Sequence, residues 1–88
     1  MKKLYIIQYD IKDDQKMVER IKTLGGWMKY FPQSMIVHTA LSTKQIYEKL
    51  TVDYPNTRIL VFRLDNSSDY HRYFGWLPNE AWEWLKDK

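Results

Sequence analysis

Residues 4–11, LYIIQYDI, alternate so that Tyr5, Ile7, Tyr9 and Ile11 fall on one side of an extended chain and Leu4, Ile6, Gln8 and Asp10 on the other. This predicts a strand with one fully apolar face and one face that ends in a carboxylate. In DDQKMVERIKTLGG the period changes: Met17, Val18, Ile21 and Leu24 recur at helical spacing, Asp13 and Asp14 suit the start, and Gly25-Gly26 reads as the stop. WMKYFPQSMIVHTA would be one long strand but for Pro32, which cannot donate to a ladder and sets a turn at Pro32-Gln33, so a hairpin with arms 27–31 and 35–40 is expected. LSTKQIYEKL carries a capping box, Ser42 with Gln45, ahead of Ile46, Tyr47 and Leu50 on one helical face. DYPNT is turn chemistry, and TRILVFRLD has the β-branched and aromatic density of a strand.

The resulting order, βαββαβ over residues 1–64, is that of the ferredoxin-like split motif, an α+β sandwich whose four-stranded sheet carries two helices on one face. The first and third strands are expected to be central, adjacent and parallel. That would set the end of LYIIQYDI beside the end of SMIVHTA and make His38 a neighbour of Asp10. Arg58, opening the last strand, is expected at the same end. Residues 65–88 form an aromatic-rich C-terminal tail with a short helix from about Pro78, packed on the same domain or on a second protomer.

Composition adds two constraints. The chain has 88 residues, enough for one small core, yet 44% of them are hydrophobic and 16% aromatic, which points to apolar surface shared with a second copy. The absence of cysteine excludes disulfides and thiolate metal sites. The opening MKKLYIIQYD is broken by Gln8 and Asp10 before a signal peptide or membrane span is complete, so it reads as a mature cytoplasmic start with no membrane partner. The net charge is +3, with the basic excess in residues 1–64 and a net acidic tail. Such a distribution fits a weak nucleic-acid footprint and fits an ordinary solvated surface as well.

The candidate chemistry centres on Asp10. A carboxylate ending a strand can form a turn through its own backbone, or it can hold a metal ion or a reacting water. Mg²⁺ or Mn²⁺ is held by one or two carboxylates together with substrate phosphates, so Asp10 on its own is a poor site, and Asp13, close in sequence, is the candidate auxiliary ligand. His38 is the candidate acid/base partner, set against the commoner reading of a sheet-face histidine. Asp13 and Asp14 otherwise read as helix-capping acids, and Ser34 as a hairpin residue. The tail aromatics Tyr73, Phe74, Trp76 and Trp82, with Leu4 and Ile6, are the candidate dimer interface. Neither a glycine-rich phosphate loop nor an HExxH motif is present.

The strand ending Tyr9-Asp10, the stretch Leu24-Gly25-Gly26-Trp27 and the hairpin Gln33-Ser34-Met35-Ile36-Val37 resemble the Cas-two family of CRISPR-associated endoribonucleases. They also resemble small bacterial proteins labelled "SinR family". The resemblance spans residues 4 to about 64. It implies a ferredoxin-like homodimer in which the first-strand aspartates, here Asp10, face each other and bind a divalent metal, and it matches Ser34 to the family's hairpin serine. The tail departs from the family, which has a fifth strand pairing with the partner subunit. The function expected is a nucleic-acid-associated homodimer with metal-dependent nuclease chemistry on RNA or DNA. The alternative is a non-catalytic dimeric module that docks another protein through the tail.

Overall fold

β1 (Lys3–Tyr9) turns Tyr5, Ile7 and Tyr9 to one side and Leu4 to the other, and all four are buried. The computed structural model describes residues 1–64, 75–86 and 88. After β1 come α1 (Gln15–Lys22), β2 (Gly26–Phe31), β3 (Ser34–Thr39), α2 (Thr43–Leu50), β4 (Ile59–Leu64) and α3 (Asn79–Leu85). The strands form one four-stranded sheet in the order β2-β3-β1-β4, with every neighbouring pair antiparallel. This is a small α+β protein with three helices among the described residues. None of them is long and apolar enough to cross a membrane.

The helical spacing seen in the sequence decides what covers the sheet. Met17 and Ile21 of α1 and Ile46 and Leu50 of α2 close over Tyr5, Ile7, Tyr9, Met35 and Val37 in one core. Each such side chain contributes roughly 1.5–3 kcal/mol by leaving water, so this face holds most of the stability. On the opposite face Ala81 and Leu85 of α3 cover Leu4 and Met28, with Ile36, Leu64, Leu77, Trp82 and Trp84 packed around them. β1 is therefore enclosed from both sides near its start.

The helix ends differ from one another. α2 has its capping box: Ser42 Oγ accepts from the Gln45 N–H at 3.1 Å, and Gln45 Oε1 accepts from the Ser42 N–H at 2.9 Å. α1 departs from expectation, because Asp14 occupies the N-cap position but makes no side-chain cap, and no acid lies in the first turn. Arg20 and Lys16 of α1 both reach Asp53, in the turn after α2, and the Arg20 hydrogen bond, then the charges of both, hold the Asp53 carboxyl below its usual range.

The expected parallel pairing of the first and third strands is overturned. α1 returns the chain so that β2 runs in the direction of β1, and the tight turn at Pro32-Gln33 reverses it again, so β3 is antiparallel to β1. Pro32 fixes the first turn position, and Gln33 takes a positive φ of 57° at the second, the backbone pattern of a type II turn. In this register Leu4 pairs with His38 and Gln8 with Ser34. His38 and Asp10 are thus at opposite ends of β1, about 20 Å apart at roughly 3.3 Å per residue.

Gly25 also has another role than helix stop, since α1 ends at Thr23. Its φ is +156°, and a Cβ there would lie 2.3 Å from the His38 carbonyl oxygen, whereas a Cβ on Gly26 would meet Trp84 at an ordinary 3.5 Å. Gly25→Ala is therefore expected to destabilise the protein by about 2–4 kcal/mol, because backbone must move to admit the methyl. Gly26→Ala should change stability by no more than about 1 kcal/mol. Urea denaturation of the two variants checks the contrast, and equal effects would contradict the close approach.

Candidate functional site

The C-terminal end of β1 is held on both sides by backbone. Tyr9 N–H donates to the Gln33 carbonyl at 3.1 Å, and Asp10 N–H donates to the Arg58 carbonyl at 3.0 Å. These bonds tie the strand to the hairpin turn and to the approach of β4. Between them opens a shallow cleft of about 320 Å³ lined by Gln8, Tyr9, Asp10, Arg58, Ile59 and Leu60. Arg58 is at the Asp10 end as expected. The Asp10 side chain is exposed, and no hydrogen bond or ion pair reaches its carboxylate from any described residue. Arg58 lines the same cleft without pairing to it.

Beneath the cleft lies an arrangement that sequence periodicity does not reveal. The β2–β3 ladder slips between Met28 and Phe31, and this irregularity re-aims Lys29. Its ammonium donates to the Phe31 carbonyl at 2.8 Å, stands 3.7 Å from Asp14 Oδ2 and lies 5.9 Å from the centre of the Tyr9 ring. Tyr9 in turn donates its hydroxyl to Asp14 Oδ2 at 2.5 Å. Burial first, then the hydrogen bond and charge of Asp14, hold the Tyr9 phenol well above its usual 10.0. Asp14 is spoken for by Tyr9 and Lys29, which is why it does not cap α1. The signal in the sequence is faint: a tyrosine at the end of an inward face, with an acid five residues on.

The other expected site residues are dispersed. Asp13 is exposed on the turn before α1. His38 stands half-buried at the far end of the sheet, where burial and then the charges of Lys88 and Lys2 lower its pKa. Leu4 is covered by α3 of its own chain. Ile6 and Trp82 are half-buried and line a cavity of about 170 Å³ on the α3 face, and Trp76 beside it is 85% exposed. Tyr73 and Phe74 lie outside the described residues, as does His71. Ser34 begins β3 opposite Gln8.

The chemistry of the donors tests the metal expectation. Among the described residues no three His, Asp or Glu side chains stand together as a metal site. One protomer offers Asp10 alone at the cleft, with Asp14 engaged elsewhere, and a single carboxylate is a poor holder of Mg²⁺ or Mn²⁺. One copy of the chain does not fit the group.

The Tyr9–Asp14 bond generates a prediction. Tyr9→Phe should cost about 1–2 kcal/mol near neutral pH, the contribution of a hydrogen bond to an ionised carboxylate. A phenol whose folded pKa is raised stabilises the fold fully below its unfolded value of 10.0 and loses that contribution as pH rises beyond it. The stability gap between wild type and Tyr9→Phe is therefore expected to narrow on going from about pH 8 to about pH 11, measured by chemical denaturation. A constant gap would show that the phenol proton is not held by the fold.

No family model matches the chain, and neither a curated protein nor a solved structure matches it, so the reading of this cleft rests on its own geometry and on the motifs of the sequence.

Proposed function

We propose that the chain is a nucleic-acid-associated protein of ferredoxin-like topology that works as a homodimer, with Asp10 of each copy meeting at the two-fold axis. One observation carries the reading: Asp10 and Arg58 line one open cleft, and among the described residues neither side chain has a hydrogen-bond or ion-pair partner. A turn-forming aspartate would engage nearby backbone through its side chain, and this one does not. The guanidinium beside it suits a phosphate oxygen. The strand order β2-β3-β1-β4 is compatible with a ferredoxin-like fold, and the motif resemblance to the Cas-two family adds a second support. Two Asp10 carboxylates brought together repel unless a cation bridges them. Mg²⁺ or Mn²⁺ bound there would supply an activated water and charge neutralisation at a phosphodiester. His38, at the other end of β1, has no part in that step.

A second reading, a non-catalytic interaction module, is favoured by the exposure of Phe31, Leu60, Phe62 and Trp76. Apolar side chains displayed together mark protein contacts more often than chemistry.

The two readings separate on the substitution Asp10→Asn. On the first, Mg²⁺ or Mn²⁺ at about a hundredfold excess over Kd should stabilise the wild type by ~2.7 kcal/mol. The variant should lose both that gain and any cleavage of RNA or DNA, and in EDTA it should be the more stable of the two, because like-charge repulsion is gone. Thermal midpoints at fixed protein concentration, with each metal and with EDTA, provide the measurement. A wild type indifferent to metal, together with an unchanged variant midpoint, would remove the nuclease reading and leave the interaction module.

A further inference from the structure

A larger cleft lies at the other end of the sheet, away from Asp10. About 690 Å³ in volume, it opens between the start of β1, the end of β3 and the flank of α2. Lys2 and Lys49 enter it from residues far apart in sequence, His38 and Thr39 from the end of β3, Thr23 from the end of α1 and Gln45 from α2. Among the described residues no carboxylate lines it.

Two of the lining side chains keep a donor beyond their hydrogen bonds among the described residues. Gln45 Oε1 is taken by the Ser42 N–H, leaving its NH₂ end. Thr39 Oγ1 accepts from the Leu41 N–H at 3.3 Å, leaving its own hydroxyl proton to give. α1 ends at this cleft with partial negative charge, but its Arg20 carbonyl already accepts from Thr23 N–H and the Thr23 hydroxyl, and its Ile21 carbonyl from Leu24 N–H. A concave site with two lysines, the Gln45 amide and Thr39 hydroxyl donors, and no acid among its described lining is suited to a negative ligand that accepts hydrogen bonds.

Next to the cleft, on the α3 face and outside its lining, stands an aromatic ring. Gly26 pairs with His38, and a Cβ on Gly26 would touch both Trp84 at 3.5 Å and the His38 side chain at 3.8 Å, so Trp84 and His38 are neighbours. Lys88 holds its ammonium 4.8 Å from the centre of the Trp84 ring. Lys88 and Lys2 are both near enough to His38 to disfavour its protonation. Lysines interleaved with an aromatic ring beside a groove are the pattern by which single strands are bound without sequence preference, phosphates on the cations and bases on the rings.

We propose that this cleft holds the phosphates of a single-stranded nucleic acid, with Lys2 and Lys49 as its principal charges and Trp84, beside His38 on the α3 face, as an adjoining aromatic surface. The inference rests on the nucleic-acid reading above and deepens it by placing strand binding at the end of β1 remote from Asp10. A strand held here would have to run about 20 Å along the sheet to reach Asp10 of the same protomer. Binding and any cleavage are thereby separable in one molecule.

The test is anisotropy of a labelled oligothymidylate across a salt series, with wild type, Lys2→Gln/Lys49→Gln, and Lys44→Gln as a control on the exposed side of α2. The double variant should bind about tenfold or more weakly, and its log K against log salt slope should fall by about 1.4, near 0.7 for each phosphate that is no longer neutralised. Lys44→Gln should match wild type. In the unmutated protein, the amide resonances of Gly25, Thr39 and Gln45 should move on adding the oligonucleotide, which keeps the proposal testable if the double variant folds poorly. Wild-type binding with an unchanged double variant and unmoved amides would overturn the cleft while leaving the nucleic-acid reading intact. No salt-dependent binding by wild type at low salt would overturn both. Displacement of the oligonucleotide by oligoglutamate at equal charge would overturn the phosphate assignment in favour of an acidic peptide.

Discussion

The direction of β3 governs where every functional group ends up. α1 brings the chain back to the starting end of β1, and the Pro32-Gln33 turn then reverses it, so β3 descends beside β1 rather than rising with it. Had the two run parallel, His38 would lie beside Asp10 and the protein would hold a carboxylate–imidazole pair. With β3 antiparallel, one end of the sheet collects Asp10, the hairpin turn and Arg58, and the other collects His38, the close approach of Gly25 and the lysines. The turn holds a non-glycine residue at positive φ, a strained choice that the flanking Phe31–Ser34 pair keeps in place.

The same layout explains why so small a core suffices. In a domain of this size one helix-covered face removes limited apolar area from water, and the other sheet face would otherwise expose Leu4, Met28 and Ile36. α3 covers them with a small residue, Ala81, at the closest approach and Leu85 beside it. Tyr30 of β2 and Glu80 of α3 line one groove with Trp84; burial and then the Glu80 charge raise the Tyr30 phenol. Phe31, which borders the cavity under α3, and Leu60 and Phe62 of β4 stay exposed, with Leu60 in the Asp10 cleft. Apolar exposure and the unpaired acid therefore share one region of the molecule.

Periodicity makes much of the fold legible. LYIIQYDI, the spacing of Met17, Val18 and Ile21, and the Ser42–Gln45 capping box each specify local structure through contacts a few residues apart, and each element is present where those contacts require it. What is not legible depends on partners distant in sequence. Asp14 reads as a cap because capping is the commonest local use of an acid before a helix, but the Tyr9 hydroxyl and Lys29, re-aimed by an irregular ladder, compete for it. Gly25 reads as a helix stop until the nearness of the His38 carbonyl gives it a tertiary reason. Asp10 can be placed at a strand end, whereas the lack of any hydrogen bond to its carboxylate among the described residues cannot be read from residue type. The lysine cleft leaves no motif at all, since Lys2 and Lys49 come from widely separated parts of the chain.

Charge segregation along β1 constrains how copies of the chain can meet. Asp10, Asp13 and Asp14 gather at one end, tempered by Lys29 and Arg58, and lysines without acids among the described residues line the cleft at the other. Joining two copies through the lysine ends would bring like charges together with no carboxylate of that lining to offset them. Joining them through the Asp10 ends also sets like charges face to face, but a single cation or a pair of guanidinium groups can offset two carboxylates, and exposed Leu60, Phe62 and Phe31 stand close by to drive contact. The second geometry is the less costly one. It turns both lysine clefts outward, about 40 Å apart on the rise of two β1 strands laid end to end. On the reading proposed above, a strand bound at one outer cleft would pass the paired Asp10 residues on its way to the other.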